Sequence, residues 1–343
     1  MKRKSKYGVV VVGVGVVGIE MLRVLRQRNF PIGELRVLAR SAREITVDGD
    51  KYSVQAISPE AFDGMDIALF AGTEGEKGAA VTYAPEAVKR GCVVIDNGAD
   101  FRMDPKVPLV VPEVNAADAK KHKGIIANPN CSTIQMVVAL NPIHKKVGIK
   151  RIIVTTLQAS SGAGKSAVEQ LKAEAAAIHA SRYENIHVDV ERSMPQQLAY
   201  NVFPHIGSFV ECDYTNEEWK LVNETRKIMH ADKIKISATT VRVPVRTGHS
   251  ESIYIETGKP ISPDKVRTLL SGSPGIIVED DPKKGLYPMP KDAEGRDETF
   301  VGRIRSDCFV KNGLWLWVVA DNLRKGAATN AVQIAECVIS YSK

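Results

Sequence analysis

One cysteine of this chain stands where a thiol could act as a nucleophile. Cys131 follows Asn128, Pro129 and Asn130 and opens a segment whose apolar residues recur at helical spacing. Pro129 favours extended chain before it and Asn130 is a good helix N-cap, so the pattern predicts a helix beginning at Cys131. A thiol at a helix N-terminus tends to have a lowered pKa and to be partly thiolate. A small buried cysteine without chemistry is the alternative that the local pattern leaves open.

A second set of reactive side chains lies near residue 245. Arg242 and Arg246 are separated by an odd number of residues and would point to one face of a strand predicted over 236–245. His249 follows a turn at Gly248. A histidine there, paired with a thiol, suits general acid–base chemistry near neutral pH.

A glycine-rich turn follows the first apolar run of the chain. Residues 9–12 are all valine, as expected of a strand buried on both faces, and Gly13-Val14-Gly15-Val16-Val17-Gly18 comes next, ahead of an amphipathic helix. Strand, G-x-G-x-x-G and helix in this order form the dinucleotide-binding fingerprint, in which glycines let the backbone approach a pyrophosphate. We therefore expect a dinucleotide cofactor to contact Gly13, Val14, Gly15, Val16 and Gly18.

The residues after the second predicted strand, 35–39, indicate which dinucleotide binds. They are Arg40, Ser41 and, two positions on, Arg43. An acidic residue here would bond the ribose 2′-hydroxyl of NAD, whereas arginine accommodates the 2′-phosphate of NADP. The sequence therefore favours NADP, held by Arg40 and Ser41. A solvated basic loop is the alternative.

The order of predicted elements divides the 343 residues into two domains. Strands alternate with helices up to about residue 130, which predicts a doubly wound α/β domain. Longer strands with interposed helices then predict an open, mostly antiparallel or mixed sheet that carries helices on one face. Its other face would be available to a partner subunit. We place the NADP-binding domain at 1–130 and a catalytic and dimerisation domain at 131–325.

Composition argues against several other classes of protein. The five cysteines are scattered and form no C-x-x-C pair, which argues against a disulfide framework and a structural zinc site and fits a reducing cytosol. The net charge is +7, but the basic residues are dispersed and the aromatics few, so nucleic-acid binding is not expected. No segment reaches the ~18 apolar residues of a membrane span. We predict a cytoplasmic protein without a metal, membrane or nucleic-acid partner.

The segment Asn128-Pro129-Asn130-Cys131-Ser132-Thr133-Ile134-Gln135 resembles the nucleophile segment of the bacterial aspartate-β-semialdehyde dehydrogenases, a family related in plan to glyceraldehyde-3-phosphate dehydrogenase. The resemblance extends over nearly the whole chain. It implies that Cys131 is the nucleophile and His249 the catalytic acid or base. Residues 156–164 resemble the segment whose glutamine helps to hold the substrate beside the thiol, which implies Gln158. In this family the C-terminal helix, here within 326–343, returns to the nucleotide domain.

The same resemblance assigns the carboxylate-binding and phosphate-binding arginines. The family carries its carboxylate-binding arginine seven residues before the catalytic histidine, which implies Arg242. Residues 97–102 resemble the phosphate-binding segment, which implies Arg102, with Asn130 helping.

An E-x-x-K pattern at Glu217 and Lys220 resembles a helix of the family in which the lysine faces phosphate and the glutamate contacts substrate. A spacing of three places both side chains on one helix face. Two alternatives stay open here, namely that Glu218 is the relevant acid and that the pair is an ordinary exposed ion pair.

Three further cofactor contacts follow from the resemblance: Ser161, Gly162 and Asn322. Residues 161–166 are not a P-loop, because the full pattern needs glycine at the position of Ala159. The family commonly has one more residue in its nucleotide loop than the G-x-G-x-x-G of this chain, which bears on the fine contacts of that loop.

Together these features imply NADPH-dependent reduction of L-aspartyl-4-phosphate to L-aspartate 4-semialdehyde with release of phosphate. The reaction would pass through a thioester on Cys131, in a homodimer, and would serve lysine (diaminopimelate), methionine and threonine biosynthesis. An N-acetyl-γ-glutamyl-phosphate reductase, which shares the plan, is one alternative. A non-catalytic NADP-binding regulator is another, although the joint presence of Cys131, Gln158 and His249 argues against it.

Overall fold

The structure, a computed structural model, describes residues 3–72, 78–184 and 186–341. The chain forms two compact units, one of residues 1–130 with 326–343 and one of residues 131–325. Residues 1, 2, 73–77, 342 and 343 of the predicted nucleotide-binding domain lie outside the described residues, as does Asn185.

Each unit contains a sheet. In chain order the strands are β1 (Tyr7–Val12), β2 (Ile32–Ala39), β3 (Arg43–Val47), β4 (Asp50–Ala56), β5 (Ile67–Phe70), β6 (Val93–Asp96), β7 (Ile125–Ala127), β8 (Ile149–Gln158), β9 (Lys235–Arg242), β10 (His249–Thr257), β11 (Ile276–Val278), β12 (Thr299–Ser306) and β13 (Gly313–Ala320). The strands of the first unit form one sheet in the order β3-β4-β2-β1-β5-β6-β7 and those of the second form another in the order β11-β12-β13-β10-β8-β9.

The helices connect and cover these strands. In chain order they are α1 (Val16–Gln27), α2 (Ala79–Lys89), α3 (Pro112–Asn115), α4 (Cys131–Val147), α5 (Lys165–Ala180), α6 (Asn216–Met229), α7 (Pro263–Ser271), α8 (Pro290–Ala293) and α9 (Thr329–Ser340).

The first unit is a doubly wound α/β domain, as predicted. Strands β4, β2, β1, β5, β6 and β7 pair in parallel, and only β3 is antiparallel to its neighbour β4. The four valines of β1 alternate between two cores: Val9 and Val11 pack in the same cluster as α1 and α9, whereas Val10 and Val12 pack with the alanines of α2. The sequence pattern missed the β3–β4 hairpin because most of its residues are polar and exposed.

The turn between β1 and α1 depends on two of its glycines. Gly13 has a φ of +98°, in the left-handed region that favours glycine. A Cβ atom on Gly18 would lie 1.9 Å from the carbonyl oxygen of Gly13. The third glycine therefore lets the helix pack directly against the end of the strand.

The second unit is built on a mixed sheet, as predicted. Strand β10 pairs antiparallel with β8 and β13, whereas β8 pairs in parallel with β9. Helix α4 packs on β8, β10, β12 and β13 and also contacts α6 and α7. Its residues 132–141 are all buried, so the helix that begins at Cys131 forms the centre of this unit's core.

One predicted boundary differs from the structure. The strand predicted over 236–245 ends at Arg242, before Pro244, so Arg246 is not on the strand and its exposed side chain pairs with Glu294. A 3₁₀ turn at Ser160–Ala163 precedes α5, and a π-helical turn at Arg324–Ala328 precedes the C-terminal helix.

In the described part of the chain, no helix combines the length and the apolar character that crossing a bilayer requires.

Substitutions of the second and third glycines of this turn should affect stability to different extents. Gly18→Ala should lower the free energy of unfolding by about 3 kcal/mol or more, because its methyl group meets backbone that cannot swing away. Gly15→Ala is the matched control, since a Cβ atom there meets nothing within 4 Å, and its effect should stay within about 0.5 kcal/mol. Urea denaturation of both variants without added nucleotide measures this, and equal stability would contradict the packing role of Gly18.

Candidate active site

Three strand ends of the second unit meet at one edge of its sheet. Gln158 ends β8 and lies opposite Arg242, which ends the parallel strand β9. Strand β10 runs antiparallel to β8, so its first residues, His249 and Ser250, lie at the same edge. The ladder thus brings Gln158 beside Arg242 and His249, which come much later in the sequence.

Arg242 is buried at this edge and points its guanidinium group at backbone oxygens. Its side chain is 3% exposed, and Nη1 donates to the carbonyl oxygen of Ala159 at 2.5 Å and to that of Gln158 at 3.4 Å. Burial lowers the pKa of Arg242, while the charges of Cys131 and Glu217 act in the opposite direction. The cation therefore lies near both the thiol and the glutamate, and it remains charged because arginine titrates far above neutral pH.

His249 is completely buried and is oriented by the same backbone segment. The amide nitrogen of Ala159 donates to Nδ1 of His249 at 3.0 Å. Burial, and then the nearby charge of Arg242, lower the pKa of His249 to about 3. The ring is therefore neutral at pH 7, and because Nδ1 accepts a hydrogen bond, the proton is on Nε2. Nε2 has no hydrogen-bond partner among the residues that the structure describes.

Gly162 leaves open the space beside these groups. A Cβ atom on this residue would lie 3.2 Å from Nε2 of His249 and 3.5 Å from Nη1 of Arg242. Any other residue would crowd the ring and the guanidinium group. This close approach explains a glycine at 162 without a requirement for positive φ.

Gln158, Glu217 and Lys220 form a chain of polar contacts. Gln158 Nε2 donates to Glu217 Oε1 at 3.2 Å, and Lys220 Nζ lies 3.3 Å from Glu217 Oε2, on the same face of α6. Lys220 is only partly exposed, so this is not an ordinary surface ion pair. Glu218, the alternative acid, forms a capping box with Thr215 at the start of α6. It therefore has a structural role, and Glu217 is the acid that lies beside Gln158.

Cys131 is the first residue of α4 and is neither fully buried nor fully exposed. Of the remaining cysteines, Cys92 is buried, and burial raises its pKa to about 11, so that thiol stays protonated. Cys212 and Cys308 are exposed, and Cys337, like Cys131, is partly exposed. Cys131 combines this access with the nearby charge of Arg242.

Asn322 forms hydrogen bonds with two loops of the second unit, those that contain Gly248 and Ser161. Its Oδ1 accepts from the amide of Gly248 at 2.9 Å, and its side chain hydrogen-bonds the hydroxyl of Ser161 at 3.0–3.1 Å. Both loops lead into the cluster of Arg242 and His249. Ser161 and Asn322 are thus buried and joined to each other, which the sequence did not predict.

In the first unit the glycine-rich turn has the features of a phosphate-binding site. Gly15 is the N-cap of α1, with a φ of −74° that any residue could adopt and with open space where a side chain would be. Neither backbone geometry nor packing within the protein therefore requires glycine at this position. The approach of a phosphate group to free amides at the helix N-terminus does, so the residues fit a dinucleotide.

Arg40 and Ser41 follow β2 in the same unit, as predicted, and both are exposed. Arg43 donates to the side-chain oxygen of Ser41 at 3.3 Å. No acidic side chain occupies this strand end among the described residues 40–43.

The two predicted phosphate-binding residues outside α6 also belong to the first unit. Arg102 is 5% exposed and donates through Nη2 to the carbonyl oxygen of Asn97 at 2.9 Å. Asn130 is 7% exposed and is covalently joined to Cys131.

Sequence analysis missed two components of the cluster. Ala159 orients Arg242 with its carbonyl group and His249 with its amide, and a backbone role leaves no signal in residue type. Glu251, two residues after His249, carries a carboxyl group with 0% exposure. It lies in a strand in which polar and apolar residues alternate, so the sequence pattern does not indicate that its side chain is buried. Among the described residues, no group of three or more His, Cys, Asp or Glu side chains could hold a metal ion.

Comparison with known families covers both units. Residues 8–122 match the family described as semialdehyde dehydrogenase, NAD binding domain, and residues 140–325 match the family described as semialdehyde dehydrogenase, dimerisation domain. The first unit is therefore a nicotinamide-dinucleotide-binding domain, and the second belongs to a family of dimerisation domains.

Individual relatives align over almost the full length. Aspartate-semialdehyde dehydrogenase of Aquifex aeolicus is 54% identical over 341 residues, covering 97% of this chain and 98% of the relative. The crystal structure of aspartate semialdehyde dehydrogenase II from Vibrio cholerae, complexed with ASA, has a TM-score of 0.92 at 42% identity and covers 98% of this chain and 99% of its own. The Candida albicans enzyme with NADP has a TM-score of 0.73 at 25% identity, covering 97% and 98%. The chain belongs to the aspartate-semialdehyde dehydrogenase family.

Proposed function

We propose that this chain catalyses the NADPH-dependent reduction of L-aspartyl-4-phosphate to L-aspartate 4-semialdehyde with release of phosphate. The observation that carries the proposal is the buried cluster at the sheet edge, in which Arg242 lies near the thiol of Cys131 and shares the Ala159 backbone with His249. Such a cluster provides a nucleophile, a cation and a hydrogen-bond donor for acyl transfer.

Cys131 is the proposed nucleophile. Its sulfur attacks the acyl carbon of the substrate, the bond from that carbon to the phosphate oxygen breaks, and a thioester remains on the protein. The guanidinium group of Arg242 and the start of α4 favour the thiolate. When the protein later releases the aldehyde, the same charges stabilise the departing thiolate.

His249 is proposed to act as a neutral hydrogen-bond donor. With Nδ1 held by the Ala159 amide and a pKa of about 3, the ring offers Nε2–H to an oxygen that gains negative charge. A neutral histidine whose low pKa keeps it a donor is a known catalytic arrangement. Of the two predicted roles, acid or base, this favours the supply of a proton or hydrogen bond.

The proposed cofactor is NADP, in its reduced form. When bound, it supplies a hydride to the acyl carbon held by Cys131. The glycine-rich turn would hold its pyrophosphate, and Arg40 and Ser41 its 2′-phosphate. Ser161, Gly162 and Asn322 are proposed as further cofactor contacts from the second unit, and the position of Gly162 beside His249 supports this.

The two anionic ends of the substrate are assigned to different cations. Arg242 has the planar fork that suits the α-carboxylate, and Gln158 and Glu217 lie beside it for the amino group and the acyl chain. Lys220, Arg102 and Asn130 are proposed for the phosphate.

A homodimer is proposed, formed through the face of the second sheet opposite α4. Ile153 is 37% exposed on this face, although it lies mid-strand opposite Tyr254, whose ring packs on Trp315. A mid-strand isoleucine with this exposure suits a partner surface. Sedimentation of an Ile153→Arg variant as a dimer would exclude this face.

The two alternative functions are distinguished by which aldehyde, if any, the protein uses in the reverse assay. An N-acetyl-γ-glutamyl-phosphate reductase would use N-acetylglutamate semialdehyde in the reverse assay, and a non-catalytic regulator would bind NADP without turnover with either aldehyde.

The function is tested by NADP reduction with aspartate semialdehyde and phosphate. Cys131→Ala should abolish turnover, because no thioester can form, and should leave NADPH binding measured by fluorescence within about twofold. Cys212→Ala is the matched control, since this exposed thiol should not affect either quantity. Turnover by Cys131→Ala at the wild-type rate would exclude the mechanism.

The protonation state of His249 is tested by alkylation of Cys131. Because its pKa is about 3, the ring stays neutral as the pH falls through about 6.5, where an ordinary histidine becomes charged. Alkylation of Cys131 should therefore show the same pH dependence near 6.5 in wild type and His249→Asn. A transition near that pH in the wild type alone would contradict the neutral-donor role.

Cofactor preference should depend on Arg40. Charge-assisted bonds to the 2′-phosphate contribute about 1.5–3 kcal/mol, so Arg40→Leu should lower kcat/KM for NADP roughly ten- to hundredfold and leave that for NAD nearly unchanged. Lys51→Leu, which removes another exposed cation of the same unit, should change neither. Equal use of NADP and NAD by the wild type would refute the assignment.

Steady-state kinetics should distinguish the cations that bind phosphate from the cation that binds the carboxylate. The semialdehyde and phosphate are independent substrates in the oxidative direction, so each has its own KM. Lys220→Ala and Arg102→Leu should mainly raise KM for phosphate. Arg242→Leu should mainly impair use of the semialdehyde and lower kcat, since misplacement removes the reactive geometry. The reverse pattern would show that the carboxylate and phosphate positions are exchanged.

A further inference from the structure

Glu251 is a buried acid that the proposed mechanism does not use. It is the third residue of β10, on the same strand face as His249, and lies between Thr156 of β8 and Val318 of β13. Its side chain is 0% exposed. The helix that packs on this strand is α4, which carries Cys131.

The surroundings of Glu251 keep it uncharged. Within the described residues it forms no ion pair, and neither carboxyl oxygen has a hydrogen-bond partner of good geometry. Burial raises the pKa of Glu251 well above its ordinary value, and the hydrogen-bonding side chain of Gln135 only partly opposes this. A neutral acid can donate its O–H to an amide oxygen. The Oε1 atom of Gln135 is buried and lacks a donor in the described part of the chain, so it is available for that bond.

Gln135 connects this acid to the reactive groups. It lies four residues after Cys131 on α4, hence one helical turn further along nearly the same face, and is 1% exposed. Its Nε2 donates to the carbonyl oxygen of His249 at 3.5 Å. One amide side chain on the nucleophile helix thus donates to the backbone of His249 and acts on the carboxyl group of Glu251, both on β10.

We propose that Gln135 and Glu251 form a buried polar bridge that fixes α4 against β10 and thereby sets the position of Cys131 relative to His249. Both are positioning residues, which act on the reaction through the groups that they hold. An apolar pair of the same size would pack without desolvating a carboxyl group and an amide, and such replacements are often neutral or stabilising. Hydrogen bonds differ from apolar contacts in that they fix the relative orientation of the groups they join. Cys131 on α4 and His249 on β10 require a fixed relative orientation, because they lie on two different elements. The proposal rests on the proposed function for the roles of Cys131 and His249.

The test compares two substitutions of Glu251 in steady-state turnover. Glu251→Gln keeps a neutral donor of the same shape, so kcat should stay within about threefold of wild type. Glu251→Leu removes the bridge, and kcat should fall about tenfold or more, while KM for phosphate and NADP changes less than about twofold. Glu256→Leu, the same change further along β10 at a half-buried glutamate, is the matched control and should leave kcat unchanged.

A double variant separates positioning from stability. In Gln135→Leu/Glu251→Leu neither side chain of the bridge is left without its partner, so the melting temperature should recover relative to Glu251→Leu, while kcat should stay low. If kcat recovers together with the melting temperature, the pair is only structural and the proposal is overturned. Wild-type kcat in Glu251→Leu, or a loss in Glu251→Gln as large as in Glu251→Leu, overturns it as well.

Alkylation of Cys131 by iodoacetamide tests the bridge without any substrate. The rate should match wild type in Glu251→Gln and differ from it at least threefold in Glu251→Leu and in the double variant. If the wild type fails to turn over aspartate semialdehyde but the alkylation rates follow this order, the proposed function is wrong and the bridge stands. Equal alkylation rates in all variants overturn the bridge, whatever the substrate.

Discussion

The burial of the Arg242 guanidinium group is the constraint on which the arrangement of the second unit depends. A cation with 3% exposure has lost most of its hydration, and the Ala159 carbonyl compensates for only part of that loss. The nearby thiol and Glu217 are the groups that can supply negative charge. The cation therefore stabilises the ionised forms of both neighbours, and the same desolvation that is unfavourable for folding gives the site its chemistry.

The backbone of Ala159 binds two side chains that require opposite hydrogen-bonding groups, an acceptor for Arg242 and a donor for His249. Its carbonyl group accepts from a cation, while its amide donates to a ring that must stay neutral. Because both groups belong to the residue that follows β8, their positions are fixed by the parallel pairing of Gln158 with Arg242. Rigid strands thus place the reactive side chains more precisely than flexible loops could.

Much of this organisation could be predicted from sequence, for reasons that are local. The valine run of β1 with its glycine turn, and the helix at Cys131, follow from patterns within a few residues. The β3–β4 hairpin was missed because exposed polar strands lack a hydrophobic period. Strand β9 ends at Arg242 rather than at 245, because its pairing with β8 stops at Gln158 and Pro244 cannot donate to the ladder. The roles of Ala159, Gln135 and Glu251 depend on contacts between distant segments, which periodicity does not contain. Asn322 belongs to the same cluster through its hydrogen bonds to Ser161 and Gly248, and residue type and spacing do not indicate these bonds.

The discontinuity of the first unit has a consequence for synthesis of the chain. The core on one side of its sheet includes residues of α9, namely Ala331, Val332, Ile334, Ala335 and Val338. These residues are translated only after all of residues 131–325. Until then the face of the sheet that they cover lacks part of its packing, although residues of α1 already lie on it. The nucleotide-binding unit, although its translation begins first, therefore cannot complete its core before the second unit has been made.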